Sequence, residues 1–237
     1  MNDRAESRVF LITGASSGIG AATAQLVAQA GHRVVLVARS SEKLNILASR
    51  LGGPEKALPI PCDVTDWDAQ KRMVADALEH FGRIDVVFAN AGVLKGSPFL
   101  GEDDTPDEWR EMVLANVLGT AMTARLTLPE LVKRNGHLLI TGSASGRTTS
   151  PQSLYSVTKW AVTGMAQSIR NQLLGTGVRV TLIQPGFTVT SITSGWPEPK
   201  IPMLQADDVA RAVMYATSQP ESVDVNEILI RPIGQVN

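Results

Sequence analysis

The chain has 237 residues, of which 43% are apolar and 19% charged, with a formal net charge of -1. That is enough apolar material for one large α/β domain without staples, and the even charge argues against disorder or a nucleic-acid-binding surface. Cys62 is the only cysteine and His32, His80 and His137 are scattered, so neither a disulfide nor a metal cluster is expected and a reducing, cytoplasmic setting is.

Residues 1 to 8 are polar and no apolar run has the length of a membrane span, so no signal peptide, membrane partner or transmembrane helix is expected; the anticipated partner is a small molecule. Val9 to Thr13 predicts a β-strand. It runs into Thr13-Gly14-Ala15-Ser16-Ser17-Gly18-Ile19-Gly20 and an alanine-rich helix reaching Ala30. In such a strand, turn and helix, Gly14 permits a tight turn, Gly18 lets the backbone approach a pyrophosphate and Gly20 allows close packing. Ser16, Ser17 and Ile19 lie between them, where helix-terminal N–H groups face phosphates. A phosphate-bearing cofactor fits.

Arg33 to Ala38 predicts a second strand and completes a right-handed β-α-β unit. An acidic residue at its end would bond a ribose 2′-hydroxyl, but the sequence has Ala38 followed by Arg39, Ser40 and Ser41. A 2′-phosphate is the better match, which favours NADP(H) over NAD(H). Leu44 to Leu51 continues as a helix that Gly52-Gly53-Pro54 breaks. Ala57 to Pro61 leads to Cys62-Asp63-Val64, where Asp63 is either an acceptor for the adenine amino group, a turn residue before the helix from Asp66 to Phe81, or both.

Ile84 to Phe88 predicts a fourth strand, and the small residues Ala89-Asn90-Ala91-Gly92 after it suit the wall of a cofactor site. An acidic connection and one long helix from Trp109 to about Arg134 follow; it carries Asn116 in aliphatic surroundings. Asn116 is either a satisfied core amide, or its side chain or a local kink holds water that connects a lysine to solvent. Gly136 to Thr141 is the fifth strand and delivers Ser143 at its carboxyl end, where open α/β sheets place ligands and a hydroxyl can donate to a substrate oxygen.

Tyr155 and Lys159, four residues apart, project from one face of the next helix, which reaches about Leu174. A free phenol, with a pKa of about 10, cannot act as a base near neutrality. An ammonium about 4 Å away at an effective dielectric near 20 favours the phenolate by roughly 4 kcal/mol. Val178 to Ile183 is the sixth strand, and Pro185-Gly186 turns the chain toward the nicotinamide end of the cleft, with Thr188 and Thr190 on that turn. Residues 187 to 206 have the irregular composition of a substrate lid, with Phe187 and Trp196 as candidate contacts. A last helix from Asp207 to Ser218 and a strand from Glu227 to Ile230 close the chain without a linker, so residues 1 to 237 read as one domain. Arg147 could meet a substrate carboxylate, solvent or a neighbouring subunit.

Thr13-Gly14-x-x-x-Gly18-x-Gly20, Asn90-Ala91-Gly92, Asn116, Ser143, Tyr155-x-x-x-Lys159 and Pro185-Gly186, in this order, resemble the short-chain dehydrogenase/reductase family over nearly the whole chain. The resemblance implies a single doubly wound, Rossmann-type α/β domain with a seven-stranded parallel sheet, helices on both faces, and NAD(P) along the carboxyl ends of the strands. It implies no metal and a homotetramer or homodimer. Tyr155 is then the acid/base and Ser143 orients the substrate oxygen. Lys159 lowers the tyrosine pKa and holds the nicotinamide ribose, while Asn116 supports a proton-relay water. Ala89 and Ala38 depart from residues common in the family, an asparagine and, in NAD users, an aspartate. Ala89-Asn90-Ala91-Gly92, Trp196-Pro197 and the ending Val225 to Pro232 look similar to the ribitol and clavulanic acid dehydrogenases of that family, which differ in substrate. The expected reaction is NADP(H)-dependent interconversion of a secondary alcohol with a ketone or aldehyde. The alternatives are a polyol dehydrogenase or a non-catalytic NADP-binding sensor.

Overall fold

The computed structural model describes residues 7–95, 99–100, 106–149, 154–193 and 201–235. Trp196 and most of the acidic connection lie outside them. The elements run β1 (Val9–Thr13), α1 (Gly18–Gln29), β2 (Arg33–Ala38), α2 (Ser41–Arg50), β3 (Ala57–Pro61), α3 (Trp67–Phe81) and β4 (Val86–Ala89). The second half contains α4 (Pro106–Met112), a π-helical segment (Val113–Gly119), α5 (Thr120–Lys133), β5 (His137–Thr141), α6 (Leu154–Gln172), β6 (Arg179–Pro185), α7 (Ala206–Ser218) and β7 (Glu227–Ile230).

Seven strands pair in the order β3-β2-β1-β4-β5-β6-β7, and every pair is parallel. The expected single Rossmann-type α/β domain is thus the observed one. Because side chains alternate along a strand, β1 sends Val9 and Leu11 to one face and Phe10 and Ile12 to the other. Val9 and Leu11 join the core that contains Met73 of α3, Leu131 of α5 and Val162 of α6. Phe10 and Ile12 join the core with Val27 of α1, Leu44 of α2 and Val209 of α7. Both faces are covered, which is why the central strands read as continuous apolar runs. The chain order reverses direction between β1 and β4, and the gap between their carboxyl ends is where such sheets bind ligands.

Two helices differ from expectation. The second begins at Ser41 and not Leu44, because the Ser40 hydroxyl caps it by accepting from Lys43 N at 3.4 Å. The long helix expected from Trp109 starts at Pro106 and is interrupted at Val113–Gly119 by the wider π geometry, with Asn116 in its middle. Such interruptions recur at functional sites. No helix among the described residues is long and apolar enough to cross a membrane.

Candidate active site

The glycine turn after β1 is built for close approach. Gly14 has φ of +69°, and a Cβ there would lie 2.9 Å from Asn90 Nδ2 and 3.0 Å from Ala91 Cα. A Cβ on Gly20 would run into the Gly14 carbonyl, so Gly20 serves the closure of the turn and does not itself line the cleft. Helix α1 starts without a side-chain cap, since the Ser17 hydroxyl lies 3.3 Å from that of Ser191 across the cleft. The first-turn N–H groups of α1 are left for an anion, as a dinucleotide pyrophosphate requires.

Asn90 fixes the opposite wall. Its Nδ2 donates to Thr13 O at 3.0 Å, and its Oδ1 accepts from Thr141 Oγ1 at 3.0 Å. The Thr13 hydroxyl accepts from Asn90 N at 2.9 Å and Ala91 N at 3.0 Å. One amide thereby joins the ends of β1, β4 and β5 and holds Ala91 and Gly92 against the cleft. Ala89, the departure from the family pattern, lies in the core, and these bonds form without it.

Ser143 follows β5. Its hydroxyl accepts from Ser145 N at 3.1 Å, lies 3.5 Å from Pro185 O and meets the Tyr155 phenol. Tyr155 and Lys159 both lie on α6. Lys159 Nζ sits 5.5 Å from the tyrosine ring centroid and donates to Thr141 O at 2.9 Å. Burial pushes the Tyr155 phenol up to about 12, against a smaller opposing effect of the Ser143 hydrogen bond. Burial also pushes Lys159 down to about 8. In the protein alone, burial therefore outweighs the expected lowering of the tyrosine by the lysine, and leaves a protonated phenol beside a lysine poised near neutrality.

Asn116 sits behind the wall and not on it. Its Oδ1 accepts from Val93 N at 2.8 Å, and its Nδ2 donates to Val93 O at 2.9 Å and Thr158 Oγ1 at 3.1 Å. Thr158 in turn donates to Tyr155 O at 2.7 Å. The side chain matches the satisfied-amide alternative and joins the loop after β4 to the turn of α6 that bears Tyr155 and Lys159.

These groups line one cleft of about 1140 Å³. From the expected cofactor set it gathers Gly14, Ser16, Ser17, Gly18 and Ile19, then Arg39, Asp63 and Val64, and then Asn90, Ala91 and Gly92. Ser143, Tyr155, Lys159, Pro185, Gly186, Phe187, Thr188 and Thr190 complete it. At the end beyond Ala38, Arg39 is exposed, and Asp63 Oδ1 is occupied by Thr65 N and Oγ1 at 2.9 and 2.8 Å, in keeping with its turn role. Lys43 lines the same end. A helix start at Leu44 hid it; recognising Ser40 as a cap would have placed Lys43 in the first turn. At the other end Thr188 and Leu204 pair across the base of the lid, and Gln235 bonds Phe187 N at 2.9 Å, a contact between distant residues that no local signal marks. Arg147 is not in the cleft: it is paired with Glu227.

A parallel sheet with a glycine turn, an open helix start and a serine, tyrosine and lysine converging beyond its strand ends defines an NAD(P)-dependent oxidoreductase. The profile of the short chain dehydrogenase family matches residues 8–200. An uncharacterized oxidoreductase of Staphylococcus aureus (strain USA300) is 38% identical over 228 residues, 95% of this chain and 97% of its own. Another, from Staphylococcus epidermidis (strain ATCC 35984), is 38% identical over 232 residues, 97% of this chain and 99% of its own. Among solved structures, an alcohol dehydrogenase from the archaeon Thermococcus sibiricus complexed with 5-hydroxy-NADP superposes with a TM-score of 0.88 at 31% identity, covering 97% and 98% of the two chains. The closed form of a serine dehydrogenase complexed with NADP+ gives 0.86 at 28%, covering 94% of each chain. A 3-ketoacyl-(acyl-carrier-protein) reductase from Brucella melitensis complexed with NADH gives 0.87 at 26%, covering 94% and 96%. The chain belongs to the short-chain dehydrogenase/reductase family.

The buried lysine has a consequence for stability. Between about 8 and the ordinary 10.5 the unfolded chain holds a proton on Lys159 that the folded chain has released. Rising pH through that window therefore stabilises the wild type relative to Lys159→Met, which has nothing to titrate there, by about 3 kcal/mol. Urea unfolding of both proteins at pH 7 and 10.5 measures this; parallel pH dependences would mean that the lysine is not depressed.

Proposed function

We propose that the protein is an NADP(H)-dependent oxidoreductase interconverting a secondary alcohol with a ketone or aldehyde. The observation that carries this reading is the meeting of Ser143, Tyr155 and Lys159 on one cleft wall, with the phenol kept protonated and bonded to Ser143. When bound, the dinucleotide supplies or accepts the hydride at the substrate carbon. Ser143 donates to the carbonyl oxygen, and Tyr155 gives that oxygen its proton in reduction. Lys159, charged below about 8, favours the phenolate that remains and holds the nicotinamide ribose. The relay that restores the proton is assigned to the backbone of the widened helix around Asn116, whose side chain is already engaged by Val93 and Thr158. Burial holds the phenol protonated at neutral pH, the form that carbonyl reduction requires of a proton donor.

Residues 187 to 206 are read as the substrate lid, with Phe187 and Trp196 against the substrate. The single cysteine suits the cytoplasm. For cofactor choice, Arg39 and Lys43 at the adenosine end and the absence of an acid at Ala38 support NADP. The alcohol dehydrogenase bound to 5-hydroxy-NADP and the serine dehydrogenase bound to NADP+ accord with this, although the ketoacyl reductase holds NADH. A homodimer or homotetramer is favoured by exposed Val113, Leu118, Val157 and Trp160 and by an apolar groove between α5 and α6. Light scattering should give a dimer or tetramer; a monomer at micromolar concentration would remove that part.

Tyr155→Phe deletes only the ionisable hydroxyl. Turnover should fall at least about 10²-fold with NADPH affinity kept, as read by steady-state kinetics and cofactor fluorescence; full activity would overturn the mechanism. In the wild type, kcat/KM should favour NADPH over NADH about tenfold to hundredfold, one charge-assisted contact. Ala38→Asp with Arg39→Leu should reverse that order. Equal wild-type values for the two cofactors would place the Arg39 guanidinium in solvent.

A further inference from the structure

The loop that carries Ser143 is held from outside the cleft. Ser143 caps a single 3-10 turn, Ala144–Gly146, and Arg147 closes it. Arg147 Nε donates to Glu227 Oε1 at 2.8 Å while Nη2 donates to Oε2, a two-pronged contact with the first residue of β7. Glu227 Oε1 also accepts from the amide of Gln184. Gln184 is fully buried, and it immediately precedes Pro185, whose carbonyl faces the serine hydroxyl. Its stem lies beneath the residue before Ser143, since a Cβ on Gly142 would meet Gln184 Cγ at 3.0 Å. Gly142 N also donates to Ile183 O at 2.7 Å.

One carboxylate therefore grips the serine loop at both ends, through Arg147 on one side of Ser143 and through Gln184 under Gly142 on the other. We infer that Glu227 is a positioning residue that fixes the Ser143 hydroxyl relative to Tyr155 and the Pro185 wall. Its loss frees Arg147 to turn toward water and leaves a buried amide without its acceptor, so the loop loses both restraints at once. Catalytic geometry is sensitive to displacements of about 1 Å, while the pyrophosphate and adenosine contacts after β1 and β2, which carry most of the dinucleotide's charge, lie on the far side of the sheet order from β7. The effect belongs in kcat, not in cofactor binding. The inference rests on the proposed role of Ser143 at the substrate oxygen.

The test is a four-protein cycle of wild type, Glu227→Ala, Ser143→Ala and the double variant. Ketone reduction is measured with saturating NADPH, and NADPH affinity by fluorescence. Glu227→Ala should lower kcat about tenfold with cofactor Kd within about twofold of wild type, and should cost less than about twofold more in the Ser143→Ala background. A purely structural role would lower activity equally in both backgrounds. Equal losses, or a wild-type kcat in Glu227→Ala, would overturn the inference alone. A Ser143→Ala enzyme with undiminished kcat would instead overturn the reading of the serine on which it depends. Should Glu227→Ala fail to fold, Glu227→Gln keeps an acceptor for Gln184 while losing the charge that Arg147 grips; it should show a smaller loss of kcat with the same dependence on Ser143.

Discussion

A parallel sheet whose chain order reverses in the middle leaves two strand ends with nothing between them, and here the Asn90 amide spans that opening. By donating to Thr13 and accepting from Thr141, it ties β1 to β5 across β4. Three walls of the cleft hang from those strand ends. The glycine turn leaves β1, the Ala91-Gly92 wall leaves β4, and the Ser143 loop leaves β5. Thr141 serves twice, since its carbonyl is the acceptor for Lys159. A site assembled on rigid strand ends can hold its groups more closely than one assembled on loops.

The two ionisable groups of α6 that line the cleft are displaced in opposite directions by the same cause. Burial disfavours charge, so the phenol rises and the ammonium falls, and two groups that titrate close together in water are driven apart with both neutral forms favoured. The protein accepts this cost at a place where the lysine donates to a neutral carbonyl and lies beside the Tyr155 ring. A charged or partly charged partner placed beside the pair would act on both groups with little solvent screening. Functional groups kept far from their solution values in a shared cleft are the expected signature of acid–base chemistry.

Much of this was legible from the sequence because the signals are local. Apolar runs such as Arg33 to Ala38 could only be buried strands, the glycine turn followed directly on one of them, and the four-residue spacing of Tyr155 and Lys159 put both on one helix face. What escaped was set by a helix cap at Ser40 and by contacts between distant residues. Lys43 reached the cleft because Ser40 caps α2 three residues before the expected start. Asn116 was recognised as a polar residue needing a reason, but its partners Val93 and Thr158 come from two other elements, and composition could not choose between the alternatives. The sequence leaves Arg147 open to a substrate carboxylate, solvent or a neighbouring subunit, and its partner Glu227 lies 80 positions further on.

The π segment at Val113–Gly119 has a geometric effect beyond its local width. It amounts to an extra residue spliced into an α-helix, and one residue corresponds to about 100° of rotation about the axis. The faces of α4 and α5 are therefore out of phase. On the near side Arg110 and Glu111 border the cleft mouth, while on the far side Thr123 and Leu131 are directed into the body of the domain. The splice thus turns the side chains of α4 at the cleft mouth by about a quarter-turn relative to those of α5 that pack into the domain.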